Sequence, residues 1–204
     1  MRTLSPLALL AVLTASAWAE PVTYHWTGNI IDVTDGTNGT ADLRGTFSIG
    51  QAATFDMTVE RATSGAPFGS SFTEYVNAIT QLTATIGTYS FSGTFPTTTI
   101  TIGNDAPDNG FLNDSFFTIV QPLEGDPIGP LNLSDANFSF YDPQGAAFTS
   151  GILPRPFPLL SFETRGVDVS WGSLSTQGVV RVEFSAGTTP ALGTTWGRIK
   201  TDYR

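Results

Sequence analysis

Residues that could do chemistry are concentrated in one segment, residues 103–114, which is rich in acids and amides. Its candidate ligands for a metal ion are Asp105, Asp108, Asn109 and Asp114. Carboxylate and amide oxygens are the hard ligands that calcium prefers, and extracellular calcium supports weak sites. The segment does not fit the helix-loop-helix calcium motif, because Pro107 occupies the third ligand position counted from Asp105. Two alternatives remain for the segment: turns stabilised by Asn and Asp side chains, which such loops form more often, and a calcium site; no other cofactor is expected.

Carboxylate pairs are the second kind of chemistry that the residues allow, because a glycosidase needs only two acids across a cleft. Asp56 and Glu60 share a strand face by a period of two, and Asp168 and Glu183 lie on late strands, although each is also explained as a solvated outer-face acid. A Ser-His-Asp triad needs a histidine, and the single candidate, His25, is predicted to be an exposed strand residue. Because the chain has no cysteine either, we expect a protein that is not an enzyme.

Exposed aromatic side chains are the third possibility, since sugar-binding sandwiches stack sugar rings on tryptophan or tyrosine. Alternation places Trp26 and Trp171 in the core, whereas Trp196 follows the last predicted strand and is predicted to be exposed. The leading interpretation is therefore a non-enzymatic exported protein of the cell envelope or extracellular matrix, and the alternative is a carbohydrate- or calcium-binding extracellular module.

The elements that must position these residues are predicted to be strands, because apolar and polar residues alternate repeatedly. The alternating segments lie at residues 22–27, 54–60, 82–86, 89–95, 100–102, 117–119, 138–140, 167–171 and 180–184. Residues 87–88 suit a two-residue hairpin turn and residues 142–145 a proline-glycine turn. Pro154, Pro156 and Pro158 exclude a central strand and predict an extended connection. We expect an all-β, jelly-roll-like sandwich of two antiparallel sheets with about ten strands, and a closed barrel is the alternative.

The first nineteen residues have the features of a secretory signal peptide. Arg2 precedes an apolar run at residues 7–13, and the small-x-small triplet at residues 17–19 suits a signal peptidase. The run is too short to span a bilayer. We therefore expect a protein secreted to the periplasm or the extracellular space. Its expected organisation is a signal peptide (1–19), a β-sandwich domain (20–190) and a C-terminal tail (191–204).

Charge and cysteine content restrict the partners and the compartment. The chain carries 9 basic and 18 acidic residues, a net charge of −9, which argues against nucleic acid because phosphates must be neutralised by clustered Lys and Arg. Small secreted eukaryotic domains usually depend on disulfides, so the absence of cysteine favours a bacterial exported protein.

Several short motifs occur in an order that resembles exported bacterial proteins of the PEP-CTERM sorting type. They are Pro21-Val22-Thr23-Tyr24, residues 75–80, residues 86–89, residues 103–105, residues 138–145 and Leu153-Pro154. The resemblance implies a globular domain of the envelope or matrix, with exopolysaccharide or other matrix components as partners. Residues 195–204 lack the Val-Pro-Glu-Pro motif, apolar helix and basic end of that family. We therefore expect no transmembrane anchor after processing and release as a soluble domain.

Overall fold

The structure is a computed structural model that describes residues 20–36, 42–60, 63–95, 98–108, 111–173 and 177–185. The predicted signal peptide, the predicted C-terminal tail and Trp196 lie outside these residues. None of the helices in the described ranges is long and apolar enough to cross a membrane.

Twelve strands carry most of the regular structure, and helix among the described residues is limited to two short pieces. The strands are β1 (Val22–Thr34), β2 (Ala52–Val59), β3 (Ala66–Phe68), β4 (Phe72–Val76), β5 (Ile79–Ile86), β6 (Tyr89–Thr94), β7 (Thr99–Asp108), β8 (Phe111–Val120), β9 (Glu124–Gly125), β10 (Leu133–Asp142), β11 (Thr164–Trp171) and β12 (Gly178–Phe184). The helical pieces are α1 (Leu43–Thr46) and a 3-10 turn (Leu159–Ser161). Each predicted alternating segment lies in one of these strands or at its end, and the two-residue turn between β5 and β6 is confirmed.

All twelve strands belong to one antiparallel sheet, in the order β3-β4-β7-β8-β10-β11-β12-β1-β2-β5-β6-β9. The all-β antiparallel class is confirmed, but the predicted division into two sheets of about ten strands is not. The reason is the length of β1, which has 13 residues. Its first part, residues 22–29, pairs with β2, and its second part, residues 28–34, pairs with β12. One long strand therefore joins two halves that would otherwise be separate sheets.

The sheet curls so that its inner face packs against itself. Phe55 of β2 lies with its ring centroid 5.7 Å from that of Phe138 on β10 and 5.5 Å from that of Phe184 on β12. Trp26 of β1 is 1% exposed and contacts both Phe138 and Phe184. Trp171 is fully buried, so both predicted core tryptophans are confirmed. The alternate residues of these strands face outward and form the polar surface.

The proline-rich segment forms no strand, as its sequence predicts, and it closes one side of the core. Its Phe157 is buried and its ring lies 4.9 Å from that of Phe140 and 5.3 Å from that of Trp26. The segment is tied to β1 by a hydrogen bond of 2.8 Å from the Tyr24 hydroxyl to the carbonyl oxygen of Pro154. The connection between β10 and β11 is therefore part of the core as well as a link.

Candidate functional site

The structure brings two of the predicted calcium ligands together at the β7–β8 hairpin. Asp114 is fully buried, and its Oδ1 accepts the backbone N–H of Asp105 at 2.9 Å. Its Oδ2 accepts the backbone N–H of Phe148 at 2.6 Å. Asp105 lies in a bulge of β7 with a φ of 51°, a left-handed conformation that Asp tolerates better than most residues. The side chain of Asp108 and the whole of Asn109 lie outside the described residues.

The contacts of Asp114 favour the turn-stabilising alternative for this segment. Asp142, directly opposite Asp114 on β10, behaves in the same way, because its carboxylate accepts the backbone N–H groups of Gln144 and Ala146 at 3.0 and 2.7 Å. The described residues include no group of three or more acidic or histidine side chains that could hold a metal ion. Calcium binding by this segment stays a prediction.

The first predicted acid pair does not offer two free carboxylates. Asp56 lies on the outer face of β2 directly opposite His25 of β1, and its Oδ1 is 2.6 Å from the His25 Nδ1. Both side chains are partly exposed, as the alternation predicts for His25. Glu60 follows the last residue of β2. The structure therefore shows a histidine-carboxylate contact on the surface rather than a catalytic pair in a cleft.

The second predicted acid pair, Asp168 and Glu183, lies in a groove on the outer face of β10, β11, β12 and the bulged part of β1. The groove has a volume of about 460 Å³, and we call it the first groove. Its central residue is Gly166, which pairs with Ser139 on one side and with Glu183 on the other. A Cβ atom at Gly166 would lie 2.5 Å from the carbonyl oxygen of Val182, so a side chain is excluded there and the floor stays open.

A fixed ion pair borders the first groove. Arg181 of β12 donates from Nε to Oδ1 of Asp168 at 2.7 Å and from Nη2 to Oδ2 at 2.9 Å. The hydrogen bonds from Arg181 to Asp168 and the charge of that carboxylate raise the pKa of Arg181, with a smaller contribution from Asp32. A bidentate pair fixes the plane of the guanidinium, and it leaves further N–H donors of the same group for a ligand.

The three acidic side chains of the first groove outnumber its two arginines. Glu163 and Glu183 line the groove and make no ion pair with any described residue. The guanidinium of Arg165 donates to the backbone carbonyl oxygens of Phe184 and Phe162 at 2.9 and 3.2 Å. The groove therefore offers carboxylate acceptors and guanidinium donors, with an excess of negative charge.

Apolar side chains flank the polar floor on both sides. Ile31, the extra residue of a bulge in β1 between residues 30 and 32, faces outward, where it is 46% exposed and lines the groove. On the other side, Phe117 of β8 lies directly opposite Ser139, and Ile119 lies opposite Asn137. Both β8 residues are 41% exposed. We call these two residues the apolar platform.

Two residues of the first groove, Asp168 and Glu183, are recognisable in the sequence as acids on late strands. Arg181 and Gly166, which also line the groove, are not. One signal was present, because antiparallel pairing of the last two strands places the opposite charges of Asp168 and Arg181 side by side. The alternation at residues 117–119 assigned Phe117 and Ile119 to the core, and this was wrong: both are exposed, and the core face of β8 carries Phe116 and Val120 instead.

Comparisons with known proteins identify no relative of this chain, so the evidence for function is the geometry of the structure. No protein-family model, no curated protein and no solved structure matches this chain.

Proposed function

We propose that this chain is an exported, non-enzymatic protein of the cell envelope or extracellular matrix that binds a polysaccharide in the first groove. The observation that carries the proposal is the groove itself, in which fixed donors and acceptors lie beside exposed apolar side chains on a hydrogen-bonded sheet. The signal-peptide features of residues 1–19 and the resemblance to PEP-CTERM-type proteins support export.

The chemistry of the groove fits a sugar, because sugar hydroxyls both donate and accept hydrogen bonds while the faces of the rings are apolar. Glu183 supplies acceptors and the free N–H groups of Arg181 supply donors. Ile31 and Phe117 can cover the apolar ring faces, and they gain from the removal of their exposed surface from water. A few convergent polar groups between apolar walls is the usual composition of a ligand site.

The register of the strands indicates the minimum length of the ligand. Gly166 on β11 and Phe117 on β8 are separated by two strand spacings, because Ser139 of β10 lies between them. Two spacings correspond to roughly 10 Å. A ligand that contacts both the floor of the groove and the apolar platform therefore contains at least two linked sugar rings.

The charges of the groove restrict the class of polymer. Three carboxylates, those of Glu163, Asp168 and Glu183, line the groove with the two guanidinium groups of Arg165 and Arg181, so the lining carries one more negative than positive charge. Like charges across an interface oppose binding, so we expect neutral or amino-sugar polymers to bind better than polyuronates.

The contacts of the acids support a binding role over hydrolysis. Asp168 is held by Arg181 and Asp56 is in contact with His25. Neither of the two acid pairs identified from the sequence therefore presents two free carboxylates for the roles of acid and nucleophile.

Isothermal titration calorimetry with purified protein and a panel of neutral, amino-sugar and uronate polymers tests the proposal. We expect heat with a neutral or amino-sugar polymer, and an affinity roughly ten-fold or more lower in Glu183→Gln, because a charge-assisted hydrogen bond is lost. The matched control is Glu20→Gln, an exposed acid outside the groove, which should bind like the wild type.

Two results would overturn the proposal. One is the absence of heat with every polymer. The other is turnover of a glycoside or ester that an acid-to-amide substitution abolishes, which would make the protein an enzyme.

A further inference from the structure

A second groove lies on the outer face of β2, β5, β6 and β9 and has a volume of about 370 Å³. Its side chains are five hydroxyls and two carboxylates, with the side chains of Ala84 and Phe91 on the inner face beneath them. The hydroxyls and carboxylates belong to Thr54, Asp56, Thr83, Thr85, Ser90, Ser92 and Glu124. Among the residues that the structure describes, no Lys or Arg lines this groove, so it is a concave surface of polar groups that suits hydroxyl-bearing ligands.

The strand register arranges these polar groups in two parallel rows. Thr54, Thr85 and Ser90 face one another across β2, β5 and β6. Asp56, Thr83, Ser92 and Glu124 form the next row across β2, β5, β6 and β9. Neighbouring positions within a row are separated by one strand spacing, about 4.8 Å.

Internal contacts hold part of this array in place before any ligand arrives. The hydroxyl oxygens of Thr54 and Thr85 are 2.6 Å apart, and Oδ1 of Asp56 is 2.6 Å from Nδ1 of His25. Polar groups that are already oriented lose less conformational entropy when a ligand binds. The array is therefore suited to a ligand that presents a repeating series of hydroxyls.

The two grooves face away from each other. Phe55 on the inner face of β2 contacts Phe138 and Phe184 on the inner faces of β10 and β12, so the two halves of the sheet meet across the core. The outer faces of these strands, which carry the grooves, consequently point to opposite sides of the molecule. Packed layers lie roughly 10 Å apart, so a short sugar fragment in one groove does not reach the other.

We infer that the second groove binds another chain of the polysaccharide class that occupies the first groove, so that one protein molecule links two polymer chains. This inference rests on the proposed function. Two sites on opposite faces of a rigid body cannot both engage one short segment, but they join separate segments and thereby raise the avidity for a network.

The experiment measures polymer cross-linking and compares it with binding. The polymer that gives heat in calorimetry is mixed with the protein, and viscosity and static light scattering are followed as the protein concentration rises. We expect wild-type protein to increase both, and short fragments of the same polymer to bind at two sites per protein.

Variants in the second groove separate cross-linking from binding. The double variant Thr85→Val and Glu124→Gln removes a hydroxyl and a charge from the groove and should bind fragments at one site and leave viscosity unchanged. The matched control is Thr94→Val, an exposed hydroxyl of β6 outside the groove, which should cross-link like the wild type. Far-ultraviolet circular dichroism and the melting temperature establish that each variant is folded, and sedimentation of the protein alone establishes that it is monomeric.

The possible results distinguish this inference from the proposed function. Binding at one site with no increase in viscosity overturns the second site and leaves the proposed function standing. Cross-linking that the double variant retains also overturns the second site, because the second contact would then lie elsewhere. The absence of any binding overturns the proposed function and the inference together.

Discussion

At the scale of single residues, Asp114 shows how this fold uses a buried carboxylate. Its two oxygens accept backbone N–H groups from residues that lie 9 and 34 positions away along the chain. A charged acceptor shared between two backbone donors is among the stronger hydrogen-bonding arrangements in proteins. Asp114 therefore holds the bulge of β7 against the loop that follows β10.

The substitution Asp114→Asn should lower the free energy of unfolding by about 1–3 kcal/mol, because an amide replaces one acceptor by a donor that faces a backbone N–H. Urea denaturation in the presence of a calcium chelator measures the effect. The control is Asp105→Asn, which keeps a residue that tolerates the left-handed conformation and should change stability by less than about 0.5 kcal/mol. A destabilisation that disappears in the chelator, together with a calcium-dependent rise in melting temperature, would instead support the calcium site predicted from the sequence.

We expect the ionisation of Tyr89 to lower the free energy of unfolding at alkaline pH. Burial raises the pKa of Tyr89 above its ordinary value, the hydrogen bond from Trp171 opposes this, and Asp126 adds to it. The folded state therefore binds the phenol proton more tightly than the unfolded chain does. The stabilisation is complete below the unfolded pKa of about 10 and is lost as the pH rises through the higher folded pKa.

Denaturation of Tyr89→Phe across the alkaline range tests this contribution. We expect the loss of stability above a pH of about 10 to be smaller in the variant than in the wild type. Equal pH dependence in the two proteins would show that Tyr89 does not contribute.

At the scale of elements, the strands that alternation predicts are those with one buried face. β2 is the clearest example, because its burial alternates from Ala52 to Val59. β3 is exposed at all three of its residues, and β9 has only two exposed residues. β4 has a single buried residue, Tyr75. These three strands have no apolar period to detect, so the sequence pattern could not predict them.

The joining role of β1 could not be predicted either. Alternation identifies β1 as a strand. The strand that pairs with each half is determined by residues far away in the sequence, which a local pattern does not show. The bulge before Asp32 is a local feature. In the sequence it is indicated only by two adjacent apolar residues, Ile30 and Ile31. The alternation of β1 already places Ile31 on the outer face beside the first groove, and the bulge keeps Asp32 on that face before Val33 returns to the core.

The proline-rich segment between β10 and β11 should contribute strongly to stability through Phe157. Truncation by Phe157→Ala removes a ring that packs among five other aromatic rings, and it should cost about 3–5 kcal/mol. The matched control is Leu160→Ala in the same segment, which is 67% exposed and should be nearly neutral. Similar melting temperatures for the two variants would show that the segment does not close the core.

At the scale of the whole molecule, the curled sheet places an aromatic core inside and two polar grooves outside. The sequence predicted the core tryptophans and the polar outer faces, because both follow from a period of two. The grooves were not predictable, since each combines side chains from at least three strands whose order is not sequential. The proposed binding sites therefore depend on strand order more than on any local motif.

The most direct test of polysaccharide binding is to map where a sugar fragment contacts the protein. Nitrogen-15-labelled protein is titrated with a short fragment of the polymer that gives heat, and the backbone amide chemical shifts are followed. We predict the largest changes at Ser139, Gly166 and Arg181 in the first groove, with α1 unchanged. Shifts that leave these three residues unaffected, or no shifts at saturating fragment, would contradict a polysaccharide site in this groove.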